Sequence, residues 1–127
     1  MVSKSALSLR VFSIYMLLVG VVLIADPNRL LSLFGVPETL EVWIRFVGML
    51  MLIIGFLDFM ASANEVRLLF RWSVYARLAV PVFLLGFVVL AAAPAVILVF
   101  GAIDAAGALW TASCLRAEAL ASPSFPL

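Results

Sequence analysis

Histidine is absent from this 127-residue chain, and cysteine occurs once, as Cys114. The missing histidine removes imidazole acid–base catalysis and argues against histidine-ligated metals or haem. A single cysteine leaves no internal disulfide, CxxC redox motif or thiolate metal cluster. The sequence therefore predicts neither a metal site nor a cofactor. Cys114 is expected to be an apolar filler, with palmitoylation as the less favoured alternative.

Charge is scarce as well. Only 12% of the residues are charged, whereas 67% are hydrophobic. Soluble domains are typically about 45–50% apolar and about 25% charged. A soluble chain of this size could not bury so much apolar surface, so we expect an integral membrane protein. The net charge of +1 gives no indication of a nucleic-acid partner.

Long apolar segments account for most of the chain. A membrane-spanning helix needs about 20 mostly apolar residues. Four segments qualify, at about residues 7–25, 40–61, 72–92 and 95–115. They predict one all-α membrane domain over residues 1–127, a four-helix bundle with antiparallel up-down topology. Residues 116–127 are expected to form a flexible tail.

The connections between these segments carry local signals. The stretch from Asn28 to Phe34, which follows Pro27, is predicted to form a short interfacial helix. The residues SANE, Ser62 to Glu65, match a capping box that would open the third span. Pro94 predicts a tight hairpin between the last two spans.

The distribution of lysine and arginine predicts the orientation in the membrane. One side collects six basic residues and the other collects two, Arg29 and Arg45. The six are Lys4, Arg10, Arg67, Arg71, Arg77 and Arg116. Both termini are therefore expected to be cytoplasmic, in a multi-pass protein of the inner membrane. No A-x-A cleavage site follows the first apolar segment, so we expect that helix to be retained.

Asp104 lies near the middle of the fourth apolar segment, about 13 Å from its start. Such residues nearly always face a bundle interior or a cavity. Gly101, Gly107, Ala108 and Thr111 share its helix face, which predicts close helix packing. Functional interpretations are a proton-binding site, an ion relay or a polar anchor for a ligand. The favoured interpretation is structural, a buried carboxyl that fixes the register between helices.

Two residues on other spans are predicted partners of Asp104. Arg45, at the start of the second span, could extend towards it, although the side chain could equally extend outward to lipid headgroups. Tyr15, at mid-depth in the first span, could bond it through its hydroxyl. Gly48 and Gly55 continue the stripe of Arg45, and are predicted, like Gly101 and Gly107, to pack against other helices.

A second charged group is predicted nearer the cytoplasmic side. Asp58, Arg10 and Arg77 lie at similar depths in three different spans. Each charge is costly in lipid by itself, so an intramembrane ion-pair cluster of the three is expected. A structural tie is favoured over a gating element or a lipid-headgroup site.

The layout resembles the DoxX-like families and related small four-helix bacterial membrane proteins. The residues that carry this resemblance are LFGVP, Leu33 to Pro37, and IRFVGMLMLIIG, Ile44 to Gly55. The resemblance implies a four-helix bundle, in some relatives a membrane subunit of an oxidoreductase or quinone-linked complex. It carries over no catalytic residue.

Three functions are compatible with the sequence, and none is enzymatic. The favoured one is a non-catalytic accessory or assembly subunit that packs against a larger membrane complex or against copies of itself. The alternative is a binding protein for a quinone, a lipid or another hydrophobic molecule, using Arg45, Tyr15 and Asp104. A small proton-coupled transporter ranks third. Small multidrug-resistance transporters of similar length have an essential acid in the first helix, and the first span of this chain contains none.

Overall fold

The computed structural model describes residues 2–121, and this range is built from helices without a strand. The helices are α1 (Lys4–Ala25), α2 (Pro27–Leu33), α3 (Trp43–Ala63), α4 (Arg67–Ala91) and α5 (Leu98–Ala121), with a 3₁₀ turn at Ala95–Ile97. Four helical segments are long and apolar enough to cross a membrane: α1, α3, α4 and the 3₁₀ turn together with α5. The chain is therefore a multi-pass membrane protein.

The short helix after the first span was predicted, and α2 confirms it. Pro27 occupies its first turn, where a missing N–H costs nothing. The second span, however, begins at Trp43 and not at residue 40. Residues before it are tied back to α2, because the backbone N–H of Thr39 donates to Asn28 Oδ1 at 2.8 Å.

The predicted capping box at the start of the third span is wrong. Ser62 lies inside α3, where its hydroxyl donates to the Phe59 carbonyl at 2.7 Å. Glu65 adopts a left-handed conformation with φ 52° and accepts bonds from Ser3, and α4 begins only at Arg67. A long-range contact thus replaces the local cap.

The predicted flexible tail is also corrected in part. Residues 116–121 are helical and continue α5. Arginine, alanine, glutamate and leucine favour helix here, and the Glu118 carboxylate accepts hydrogen bonds from Ser5 at the start of α1. The rest of that predicted tail, residues 122–127, lies outside the described residues.

Two helix pairs organise the bundle. The most extensive packing joins α1 to α3, followed by α4 to α5, and α1 also contacts α5. Contacts between α3 and α4 are much fewer. The two pairs therefore meet mainly along α1 and α5, and leave room between them elsewhere.

Glycines allow the close approach within each pair. A Cβ on Gly20 would lie 2.8 Å from the Gly48 carbonyl oxygen, and a Cβ on Gly48 would lie 2.8 Å from that of Gly20. The backbones of α1 and α3 thus touch directly. In the other pair, a Cβ on Gly101 would lie 3.1 Å from Cα of Pro81, so α5 packs against the proline of α4.

Candidate functional site

A cavity of about 480 Å³ lies where the two helix pairs separate. Its walls come from α1, α2, α3, α4 and α5, and also from the connections after α2 and α4. The lining is almost entirely apolar. Representative side chains, one or two from each wall, are Met16, Leu31, Val47, Met51, Val80 and Phe100.

Phe34 and Phe100 both line this cavity and contact each other. Their ring centroids are 5.1 Å apart, with the rings tilted by 57°. Phe34 caps α2, so the short helix holds this aromatic contact over the start of α5. Two aromatic rings therefore form part of the cavity wall beside α2.

Two polar side chains line the cavity, Tyr15 from α1 and Asp104 from α5. They are close enough to interact electrostatically. Within residues 2–121, neither the Tyr15 hydroxyl nor the Asp104 carboxylate makes a hydrogen bond. The oxygens of both groups are not completely buried. An apolar chamber thus presents one phenol and one carboxyl group whose hydrogen-bonding capacity the protein does not use.

The predicted bond between Asp104 and Arg45 or Tyr15 is not formed. Arg45 is exposed, and its Nη1 donates to the carbonyl of Ile24 in the last turn of α1. Carbonyls at a helix C-terminus have no intrahelical partner, which explains their attraction for a guanidinium. Arg45 therefore joins α3 to the end of α1 and does not line the cavity.

Arg77 is instead the cation that acts electrostatically on Asp104 and also on Asp58. It is only 4% exposed. Its Nη2 donates to Thr111 Oγ1 at 2.9 Å, and its Nε donates to the Ser73 carbonyl at 3.3 Å. The guanidinium carbon lies 4.7 Å from the ring centroid of Phe12, a cation–π distance.

The hydrogen bonds beyond Arg77 run in one direction. Thr111 Oγ1 is 2.7 Å from Ser8 Oγ, and Ser8 Oγ donates to the Ser5 carbonyl at 2.7 Å. An arginine can only donate, so Thr111 accepts from Arg77. Because the Ser8 hydroxyl donates to the Ser5 carbonyl, the Thr111 hydroxyl donates to Ser8. We call Arg77, Thr111, Ser8 and Ser5 the polar row. It runs from Arg77 on α4 through Thr111 on α5 to the start of α1.

The predicted ion-pair cluster of Asp58, Arg10 and Arg77 is not formed as contacts. Arg10 donates to Ser62 Oγ at 3.3 Å and lies 5.3 Å from the ring centroid of Phe59. Among the described residues, salt bridges join Arg29 to Asp26 and Arg67 to Glu118, and do not include Asp58. Serine and threonine hydroxyls therefore solvate the arginines, while Asp58 and Asp104 interact with Arg77 at longer range.

The four glycines singled out by the sequence lie at helix contacts. Gly48 meets Gly20 and Leu23, and Gly55 meets Leu17 and the Ser13 carbonyl. Gly101 meets Pro81, and Gly107 meets Arg77 and Phe12. The absence of a side chain at Gly107 therefore leaves the space that the Arg77 guanidinium occupies.

A polar group at the start of α1 was missed by the sequence analysis. Glu65 accepts from Ser3 N at 2.7 Å and from Ser3 Oγ at 2.8 Å. Glu118 accepts from Ser5 N, Ser5 Oγ and Arg67 Nη2, the last at 2.7 Å. Serines at positions 3, 5 and 8, before and within an apolar span, were the available signal. Their partners lie 62 to 113 residues away, beyond the reach of local patterns.

Comparison with known proteins gives no relative: no family model, no curated protein and no solved structure matches this chain. The resemblance to the DoxX-like families therefore stays a prediction.

Proposed function

We propose that this protein is a non-catalytic membrane protein that binds an apolar small molecule or lipid in the cavity lined by Tyr15 and Asp104. The observation that carries the proposal is a chamber of about 480 Å³ with an apolar wall and two polar groups. Ligand sites commonly have volumes of about 300–1,000 Å³, mostly apolar linings and a few polar groups that orient the ligand. A quinone or a lipid chain has the required apolar body.

The location of the cavity supports access from the bilayer. Its walls come from both helix pairs, and the contacts between α3 and α4 are few. A ligand dissolved in the membrane can enter between helices that pack loosely, without passing through water. In this proposal the polar side chains position the ligand, and no catalytic group is required.

A matched pair of tryptophan substitutions tests this proposal. Val80 lines the cavity, whereas Val82, two positions later on α4, is 70% exposed on the outer surface. Val80→Trp should fill the chamber and remove the ligand that native mass spectrometry detects on the wild-type protein purified in mild detergent. Val82→Trp should retain that ligand. Loss from both variants, or from neither, would contradict the proposal, as would a wild-type protein that carries no ligand.

We further propose the antiparallel up-down arrangement, with both termini cytoplasmic and the membrane being the bacterial inner membrane. The support is the excess of lysine and arginine beside one set of span ends. In this orientation α2 and the cavity belong to the outer half of the bilayer.

An accessory-subunit role is the second proposal, and α4 supports it. Of the four spans α4 is the least buried, and a Cβ on Gly86 would meet no atom within 4 Å. This open apolar face suits either lipid or another membrane subunit. Chemical crosslinking from Val82→Cys in native membranes would identify a partner subunit or a second copy. Crosslinking to lipid alone would count against this second role.

A further inference from the structure

We propose that the ligand of the cavity carries a hydroxyl group, and that Asp104 accepts its hydrogen bond while Tyr15 donates to its oxygen. This inference rests on the proposed function and adds the chemical class of the ligand's polar head.

Among the side chains that line the cavity, Tyr15 and Asp104 are the ones that carry hydrogen-bonding groups. Several hydroxyls and arginines elsewhere in the bundle have partners inside the protein: Ser8 with Thr111, Arg10 with Ser62, and Arg77 Nη2 with Thr111. Within residues 2–121, Tyr15 and Asp104 lack such partners although both line the cavity. Polar groups buried in a low-dielectric site are costly when unpaired. A ligand that bonds both therefore gains more than one that is purely apolar.

The hydrogen-bonding properties of Asp104 and Tyr15 indicate which polar head the ligand carries. A carboxylate can only accept hydrogen bonds, whereas a phenol can donate one. A hydroxyl group satisfies both, since its proton bonds the carboxylate and its oxygen accepts from the phenol. A carboxylic acid head is disfavoured, because its negative charge would lie beside Asp104.

Arg77 explains why a neutral donor fits better than an ammonium group. Its guanidinium acts electrostatically on Asp104 from within the bundle. It is held there by Thr111, Ser73 and Phe12. The carboxylate thus already has a nearby cation, and a second cation in the cavity would be repelled by the first.

A pair of probes that differ in one proton tests the inference. Tetradecanol and tetradecyl methyl ether have the same apolar chain and the same oxygen acceptor, but only the alcohol donates. Competition binding to the purified wild-type protein should give a dissociation constant about tenfold lower for the alcohol, the effect of one bond to a charged acceptor. Asp104→Ala should abolish this preference by weakening alcohol binding alone. Tyr15→Phe should weaken both probes equally and keep the preference.

The control is Asp58→Ala, which removes the other carboxylate that interacts with Arg77 but does not line the cavity. It should keep the tenfold preference. Equal binding of alcohol and ether to the wild-type protein would overturn the inference and leave the proposed function standing. Binding of neither probe would overturn the proposed function itself. A preference that persists in Asp104→Ala would also overturn the inference, and this comparison uses only variants that elute as folded monodisperse protein.

Discussion

The guanidinium of Arg77 lies directly over Gly107: a Cβ on Gly107 would be 3.1 Å from Arg77 Nη1 and 3.2 Å from Cδ2 of Phe12. That Nη1 atom is buried and, among the described residues, makes no hydrogen bond. Glycine at position 107 is thus what lets a large charged group pack between α1, α4 and α5. The contact connects helix packing to the electrostatics of the cavity, because the same arginine acts on Asp104.

Gly107→Ala should destabilise the protein by about 1–3 kcal/mol, the usual cost of an added methyl group in a well-packed interior. The guanidinium cannot move away freely, because Thr111 and Phe12 hold it. In an Arg77→Met background the same substitution should cost less, since methionine adapts to irregular space. Denaturation in mixed micelles measures both values. Equal costs in the two backgrounds would show that Arg77 is not the obstacle.

Thr111→Val should cost about 1.5–3 kcal/mol, because it removes the acceptor of a bond from a charged donor. Thr111 is fully buried and accepts from Arg77 Nη2, so no water can replace the lost hydroxyl. Thr111→Ser keeps the hydroxyl and should cost less. The control on the same helix is Ser113→Ala, whose exposed hydroxyl bonds only the Trp110 carbonyl, and its effect should stay within about 0.5 kcal/mol. A Thr111→Val protein as stable as the Ser113→Ala protein would refute the importance of the polar row.

Gly48→Leu should disrupt folding, whereas Gly86→Leu should be tolerated. A side chain at Gly48 meets the Gly20 carbonyl and Leu23 Cβ at 2.8 Å, and backbone atoms cannot move aside cheaply. A side chain at Gly86 meets nothing within 4 Å, and leucine is also the better helix former. Monodisperse yield on size-exclusion chromatography compares the two. If both variants behave alike, direct backbone contact between α1 and α3 does not limit stability.

Cysteine labelling checks the proposed orientation in a Cys114→Ser background. Asn64→Cys places a thiol in the exposed turn between α3 and α4, and Glu38→Cys places one in the exposed connection before α3. An impermeant maleimide added to spheroplasts should label Glu38→Cys and leave Asn64→Cys unlabelled until the membrane is opened. The reverse pattern would invert the topology.

The spans and α2 were predictable because the information is local. Hydropathy over about 20 residues marks a span wherever it packs, and Pro27 marks the start of α2. The helix ends were less predictable. The start of α3 at Trp43 follows a connection that Thr39 and Asn28 tie back to α2, and the part of α5 beyond residue 115 contacts the start of α1 through Glu118 and Ser5. The capping-box prediction is wrong for a similar reason, because Glu65 accepts a hydrogen bond from the distant residue Ser3.

The candidate site was predicted in part. Asp104 and Tyr15 were placed at similar depths from their positions in the sequence, and the structure puts both on one cavity. The choice of Arg45 as their cation failed, because depth alone does not say which way a long side chain extends. The free carbonyl of Ile24 holds Arg45 at the end of α1. Arg77 was set apart in a different cluster, although Thr111 on the Asp104 face holds it.

The polar row also constrains the order in which this protein can be assembled. Arg77 enters the membrane with α4, but Thr111, which accepts from its Nη2, is synthesised 34 residues later in α5. Until then the charged side chain lies in an apolar span without this acceptor, which is unfavourable. Three residues, Ala92 to Pro94, separate α4 from the turn that begins the last span. So short a connection would allow α4 and α5 to insert together as a hairpin, whereas a chain that ends before Thr111 would leave Arg77 without that acceptor.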